Sequence, residues 1–94
     1  MNVNQKRSSD AIMKSILEIC STGASKTRIV YQCNLNSTTI KPYLSLMTDN
    51  NLIETYEVEP KLYKTTPKGI EFMKGLKQHY EAISMLRSSM ILAA

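Results

Sequence analysis

Cys20, Cys33 and His79 are the only thiol or imidazole side chains in these 94 residues. Such groups build zinc centres and nucleophile–base pairs, and a structural zinc takes about four of them. Two cysteines without C-x-x-C spacing and one histidine cannot make a Cys/His zinc site within one chain. No Gly-rich phosphate loop accompanies them, and a lone His leaves no nucleophile–base pair, so the reading is a non-enzyme with no cofactor. Both cysteines fall among apolar positions, which reads as buried thiols rather than a redox pair. What the remaining residue types do offer is recognition of a polyanion. Lys26, Arg28, Lys41, Lys61 and Lys64 supply positive charge, and Ser37, Thr38, Thr39 and Ser45 supply hydroxyls. Lysine and arginine neutralise phosphates. Hydroxyls bond phosphates or either kind of base edge, and a threonine methyl can touch thymine.

The charge balance agrees. Twelve Lys and Arg oppose eight Asp and Glu, a formal +4. Residues 1–50 hold six basic and three acidic groups and residues 51–94 hold six and five, so the excess lies in the first half. A basic balance suits a polyanionic partner. The length fits one domain with a modest core, which a dimer partner would help to stabilise. Hydrophobic content of 43% and charged content of 21% are those of a globular chain, not a disordered one. No apolar run of about 18 residues is present, so no membrane span is expected. Met1 to Arg7 is polar and starts no signal peptide, which predicts a cytoplasmic protein.

Ser8-Ser9-Asp10 can cap a first helix, about residues 8–21, in which Ile12, Ile16, Leu17, Ile19 and Cys20 recur at helical spacing. Gly23 ends it. Ser25 caps a second helix, about residues 26–33. Asn34-Leu35-Asn36 is the turn, with Leu35 as an apolar plug at the corner. Ser37 or Thr38 caps a third helix that reaches about Asn50. Ile53, Thr55, Tyr56 and Val58 favour strand, Glu59-Pro60-Lys61 a tight turn, and Leu62-Tyr63-Lys64-Thr65 a returning strand. Thr66 then caps a last helix with Pro67 at its first position, running to about Ile91. Three helices, a two-stranded hairpin and a long helix make a winged helix-turn-helix of mainly α (α+β) class with a C-terminal extension.

At about 100° per residue, Ile40, Tyr43, Leu44 and Met47 share the core face of the third helix. Thr38, Lys41, Pro42, Ser45 and Asp49 share the opposite one. Small side chains there let a helix sit deep in a major groove, and hydroxyls discriminate bases weakly, so sequence preference should be modest. Deep inside a helix Pro42 would cost about 3 kcal/mol. The expectation is therefore a late or irregular start near Thr39, which puts Pro42 in the first turn. Lys26 and Arg28 open the helix that crosses the phosphate backbone in this motif. Lys61 and Lys64 lie in the wing, where Glu57 and Glu59 weaken the local field.

In the last helix Met73, Leu76, Tyr80, Ile83 and Met90 step by three and four, with Arg87 where an apolar residue is due and Leu86 beside the stripe. Ile70 and Phe72 are expected to pack back on the head. About 25 residues span roughly 37 Å, too long to pack wholly on so small a domain. The economical partner is a second copy, through a two-helix coiled coil. The chain thus divides into a winged-helix domain, residues 1–66, and a dimerisation helix, residues 67–94.

"TRIVYQCNLNSTTIKPYLSLMTDNNLIE" followed by "YKTTPKGIEFMKGL" resembles the small archaeal winged-helix DNA-binding proteins of the Sulfolobus ten-kilodalton type 'a' family. The likeness covers about residues 10–92. Thr27-Arg28-Ile29, Tyr43-Leu44, Asn51-Leu52-Ile53-Glu54, Tyr63-Lys64-Thr65-Thr66 and Lys68-Gly69 carry it. It implies a winged-helix head, an antiparallel coiled-coil dimer, and double-stranded DNA as partner in a regulatory or chromatin (nucleoid-associated) role. Pro42 and Thr38-Thr39 stand where longer polar side chains are expected, and Asn51 where such proteins usually place Gly. The alternative is a winged-helix protein-interaction module without DNA binding. No small-molecule ligand is expected.

Overall fold

The computed structural model describes residues 9–93. Ser8, one of the three capping candidates, lies outside them. α1 (Ser9–Ile19) runs into a single 3-10 turn (Cys20–Thr22), so the α-helix is shorter than the sequence implied. The tightening has a local cause: the Ser21 hydroxyl donates to the Glu18 carbonyl at 2.8 Å, and Gly23 breaks the helix at φ 91°. A two-residue strand follows, β1 (Ala24–Ser25), then α2 (Lys26–Cys33) and α3 (Ser37–Asp49). β2 (Ile53–Tyr56), β3 (Leu62–Thr65) and α4 (Pro67–Ala93) complete the chain.

The expected two-stranded hairpin is part of a three-stranded antiparallel sheet, order β1-β3-β2. Ala24 pairs with Tyr63 from one side of β3, and Thr55 pairs with Tyr63 from the other. Val58 falls outside β2 and is exposed, its N–H turned back to the Tyr56 carbonyl at 2.9 Å.

Two details of α3 depart from expectation. The cap is Asn36, not Ser37 or Thr38: its Oδ1 accepts the Thr39 N–H at 2.8 Å. Helix three consequently starts at Ser37, and Pro42 stands inside it rather than in its first turn. The Ile40 N–H already bonds to the Asn36 carbonyl at 3.1 Å, so by position 42 the regular ladder is under way. Burial overrides propensity here. Ile40, Leu44 and Met47 are buried on one face, with Tyr43 packed beside them, and those contacts hold the helix through its proline.

The core joins Ile12, Ile16 and Leu17 of α1 to Ile29, to the apolar face of α3, and to Leu52 and Ile53. Leu35 packs against it from the α2–α3 corner. Asn51 takes φ 63°, the left-handed region that glycine enters most readily. Thr65 is buried, and its hydroxyl donates to the Leu17 carbonyl at 2.8 Å, tying β3 to α1. Thr66 caps α4 as expected, accepting the Gly69 N–H at 2.9 Å. A methyl at Gly69 would run into the Leu52 carbonyl oxygen and Thr65 Cγ2, so only glycine lets α4 start this close to the strands. The first turns of α4 are thus built into the head, and Met73 packs on the core as well. Ile70 is half-buried, whereas Phe72 stays 39% exposed at the edge of a groove rather than packing fully on the head.

Candidate nucleic-acid interface

Three elements converge beside α3. Ser25 accepts the Arg28 N–H on its hydroxyl and so fixes the start of α2, which sets Lys26 at the first helical position. The helical register of α3 carries Lys41 and Ser45 to the same side. The hairpin brings Lys61, just before β3, over from the wing. Together Lys26, Lys41, Ser45 and Lys61 line a cleft of about 360 Å³ between α3 and the sheet, along with Leu44, Thr48, Asp49, Thr55 and Tyr63.

The remaining candidates lie apart from that cleft. Thr38 is exposed on the outer face of α3, with Ser37 beside it in the first turn. Thr39 is half-buried, and its N–H is taken by the Asn36 cap. Arg28 is exposed in the first turn of α2. Lys64 pairs across the sheet with Glu54, and strand alternation sets it on the face opposite Tyr63. Of the stripe on α4, Leu76 and Ile83 are half-buried, and Leu86 and Arg87 are exposed. Tyr80 and Met90 belong to α4, and their side chains lie outside the description.

Thr48, Thr55 and Tyr63 were not picked out from sequence. Thr48 follows Ser45 by three on α3, and Thr55 is the cross-strand neighbour of Tyr63, so both signals existed once the register was known.

The cleft is basic but not uniformly so. Lys61 Nζ lies 3.5 Å from Glu57 Oε2 and 5.6 Å from the Tyr63 ring centroid. An exposed pair of this kind is worth about 0–1 kcal/mol, so a phosphate can displace the carboxylate at little cost. The ring contact holds the lysine over the cleft meanwhile. Asp49 adds a carboxylate at the far end of α3.

Cys20 and Cys33 are both buried, and no disulfide joins them. Burial first, and the nearby Cys33 second, push the Cys20 thiol up to about 12, against a smaller lowering by Arg28. A thiol so held is protonated at neutral pH and a poor nucleophile. Among the described residues no three His, Cys, Asp or Glu side chains gather where they could hold a metal ion. No described helix is long and apolar enough to cross a membrane.

A family model described as winged helix-turn-helix matches residues 6–84. No curated protein matches significantly. Among solved structures, Sso10a-2, a DNA-binding protein from Sulfolobus solfataricus, is similar with a TM-score of 0.86 at 22% identity, over 93% of each chain. The PcaV transcriptional regulator from Streptomyces coelicolor gives 0.71 at 14% identity, over 87% of this chain and 61% of that one. Sco5413, a MarR family regulator from the same organism, gives 0.62 at 15%, over 89% and 81%.

Proposed function

The chain belongs to the winged helix-turn-helix family, and from that premise we propose that it is a homodimeric, cytoplasmic double-stranded DNA-binding protein, a transcription regulator or a nucleoid-associated one. The observation that carries this reading is the cleft in which Lys26, Lys41 and Lys61 meet beside the small, hydroxyl-bearing face of α3. A helix about 10–12 Å across fits a major groove about 12 Å wide. With α3 in the groove, Ser37, Thr38, Thr39 and Ser45 face bases and sugars. Lys26, Arg28 and Lys41 reach the flanking phosphates, and Lys61 and Lys64 reach them from the two faces of the wing. The resemblance to Sso10a-2, whose description is that of a DNA-binding protein, supports the assignment.

Dimerisation falls to residues 67–94, beyond the head of residues 1–66, although the first turns of α4 also pack on that head. At 27 residues α4 is roughly 40 Å long, and its stripe of Met73, Leu76, Tyr80, Ile83, Leu86, Arg87 and Met90 continues past the domain edge. A second α4, antiparallel in a coiled coil, covers that stripe and places two heads on one duplex.

The test is binding to a random-sequence duplex of about 30 base pairs over a salt series. If five basic residues per head neutralise phosphates, log K falls with log salt at a slope of about −4.5 for each head, a loss of roughly 500-fold between 50 and 200 mM. Lys41→Ala and Arg28→Ala should each flatten the slope by about 0.9. Absence of binding at low salt refutes the reading and leaves the protein-interaction module.

A further inference from the structure

The flank of α3 away from the wing borders a largely apolar groove of about 330 Å³ beside Leu46, Asn50 and Phe72. The lysines of the cleft lie on the other flank, and one of them is already engaged. Lys61 Nζ lies 3.5 Å from Glu57 Oε2, whereas Lys26, Arg28, Lys41 and Lys64 form no ion pair among the described residues. The same ammonium lies 5.6 Å from the centroid of the Tyr63 ring.

We propose that Glu57 and Tyr63 together set the strength of the wing's phosphate contact by acting on Lys61. Tyr63 is a positioning residue that holds the ammonium over the cleft, and Glu57 is the counter-ion that a DNA phosphate must displace. This assignment rests on the DNA-binding reading above and adds what controls one of its contacts.

The sheet fixes the ring. β3 pairs Tyr63 with Ala24 on one side and with Thr55 on the other, and the side chain packs against the core. Lys61 precedes Tyr63 by two residues, so strand alternation brings both side chains to one side of the hairpin, and both line the cleft. Glu57 comes just after β2. Tyr56 pairs with Leu62, so Glu57 and Lys61 face each other across the next step of the hairpin. The Glu57 side chain is 75% exposed against 47% for Lys61. The carboxylate is thus the member that can swing into water, and the lysine is the member that stays over the cleft.

The two neighbours act oppositely on a phosphate. An aromatic face attracts a cation without neutralising it, so the ring places Lys61 and leaves its charge available. A carboxylate cancels that charge until it is displaced. Its effect is modest because the pair is exposed, and it fades as salt screens it.

The experiment measures affinity for the random-sequence duplex in the full chain. Glu57→Gln should tighten binding by about two- to fivefold at 50 mM salt, with a smaller gain at 200 mM. Glu59→Gln removes the neighbouring exposed carboxylate, which forms no ion pair among the described residues, and should give less than half that gain. In a Lys61→Ala background Glu57→Gln should give no more than Glu59→Gln does. An equal gain with and without Lys61 overturns the proposal, because the carboxylate then acts only through the general field. Tyr63→Leu should weaken binding by about two- to fivefold, and Tyr63→Phe, which keeps the ring, should bind as the wild type does. A Phe variant as weak as the Leu variant assigns the hydroxyl a direct contact and overturns the positioning role. A wild-type chain that binds no duplex at low salt overturns the DNA-binding reading and this assignment with it, whereas a failure confined to the variants overturns this assignment alone.

Discussion

Replacing Pro42 by alanine should stabilise the protein. Pro42 is the sixth residue of α3, two positions beyond Ile40, whose N–H makes the first regular bond of the helix. A proline at such a site removes one ladder bond, here to the Thr38 carbonyl, and crowds that carbonyl with its ring, for about 3 kcal/mol. Two effects reduce the gain. Thr38 and Pro42 are both exposed, so water already satisfies part of the orphaned carbonyl. The proline also restricts the unfolded chain, which is worth about 0.4–1 kcal/mol in its favour. The net expectation is a gain of about 1–2 kcal/mol. For a domain of this size each kcal/mol moves the melting temperature by about 4–8 °C, so Pro42→Ala should melt roughly 4–16 °C higher. Urea titration at fixed protein concentration should move the midpoint without changing the slope. An unchanged or lowered midpoint would refute the reasoning. It would mean that the ring makes contacts in the folded protein that outweigh the lost bond.

Two further outcomes follow from the interior. Thr65→Val keeps the shape of a buried side chain but withdraws the 2.8 Å bond to the Leu17 carbonyl, and should lower stability by about 1–3 kcal/mol in a urea titration. An equally stable valine variant would show that the hydroxyl contributes nothing. Cys20 sets an alkaline limit: its thiol ordinarily ionises near 9.0 and here near 12, so both states are protonated below pH 9, while between 9 and 12 only the unfolded chain loses the proton. Stability from this group therefore falls as pH rises through that window, by up to a factor of about ten in the unfolding constant per pH unit, and Cys20→Ala should flatten the slope between pH 9 and 11.

The parts of the fold legible in sequence were those where burial follows a period. Ile40, Leu44 and Met47 announced the inner face of α3, and Leu62-Tyr63-Lys64-Thr65 announced β3, because in each case the side chains repeat with the geometry of the element. β1 had no such signature. Two residues, Ala24 and Ser25, carry no pattern, and they become a strand only because β3 offers an edge to pair with. The cap of α3 lies one or two residues before the expected one because Asn36, Ser37 and Thr38 are all good caps in a row. The late start followed from propensity alone, whereas the contacts of three buried side chains decide the outcome. For the candidate site, charges and hydroxyls were readable. That Lys26, Lys41 and Lys61 share one cleft with Thr55 and Tyr63 was not, since it depends on how the hairpin folds against α3.

α3 presents two flanks of opposite character. Its buried face anchors it to α1 and the sheet, and this leaves two flanks. Lys41, Ser45 and Thr48 look into the basic cleft, while Leu46 and Asn50 look into the apolar groove. Leu46 stays exposed on the groove flank, while Lys41 and Ser45 are exposed on the other. Leu46→Ser removes no charge from the cleft, so it should leave the affinity for a random-sequence duplex and its salt slope near their wild-type values. Lys41→Ala should flatten that slope by about 0.9. A flatter slope from Leu46→Ser would mean that the two flanks of α3 are not the separate surfaces described here.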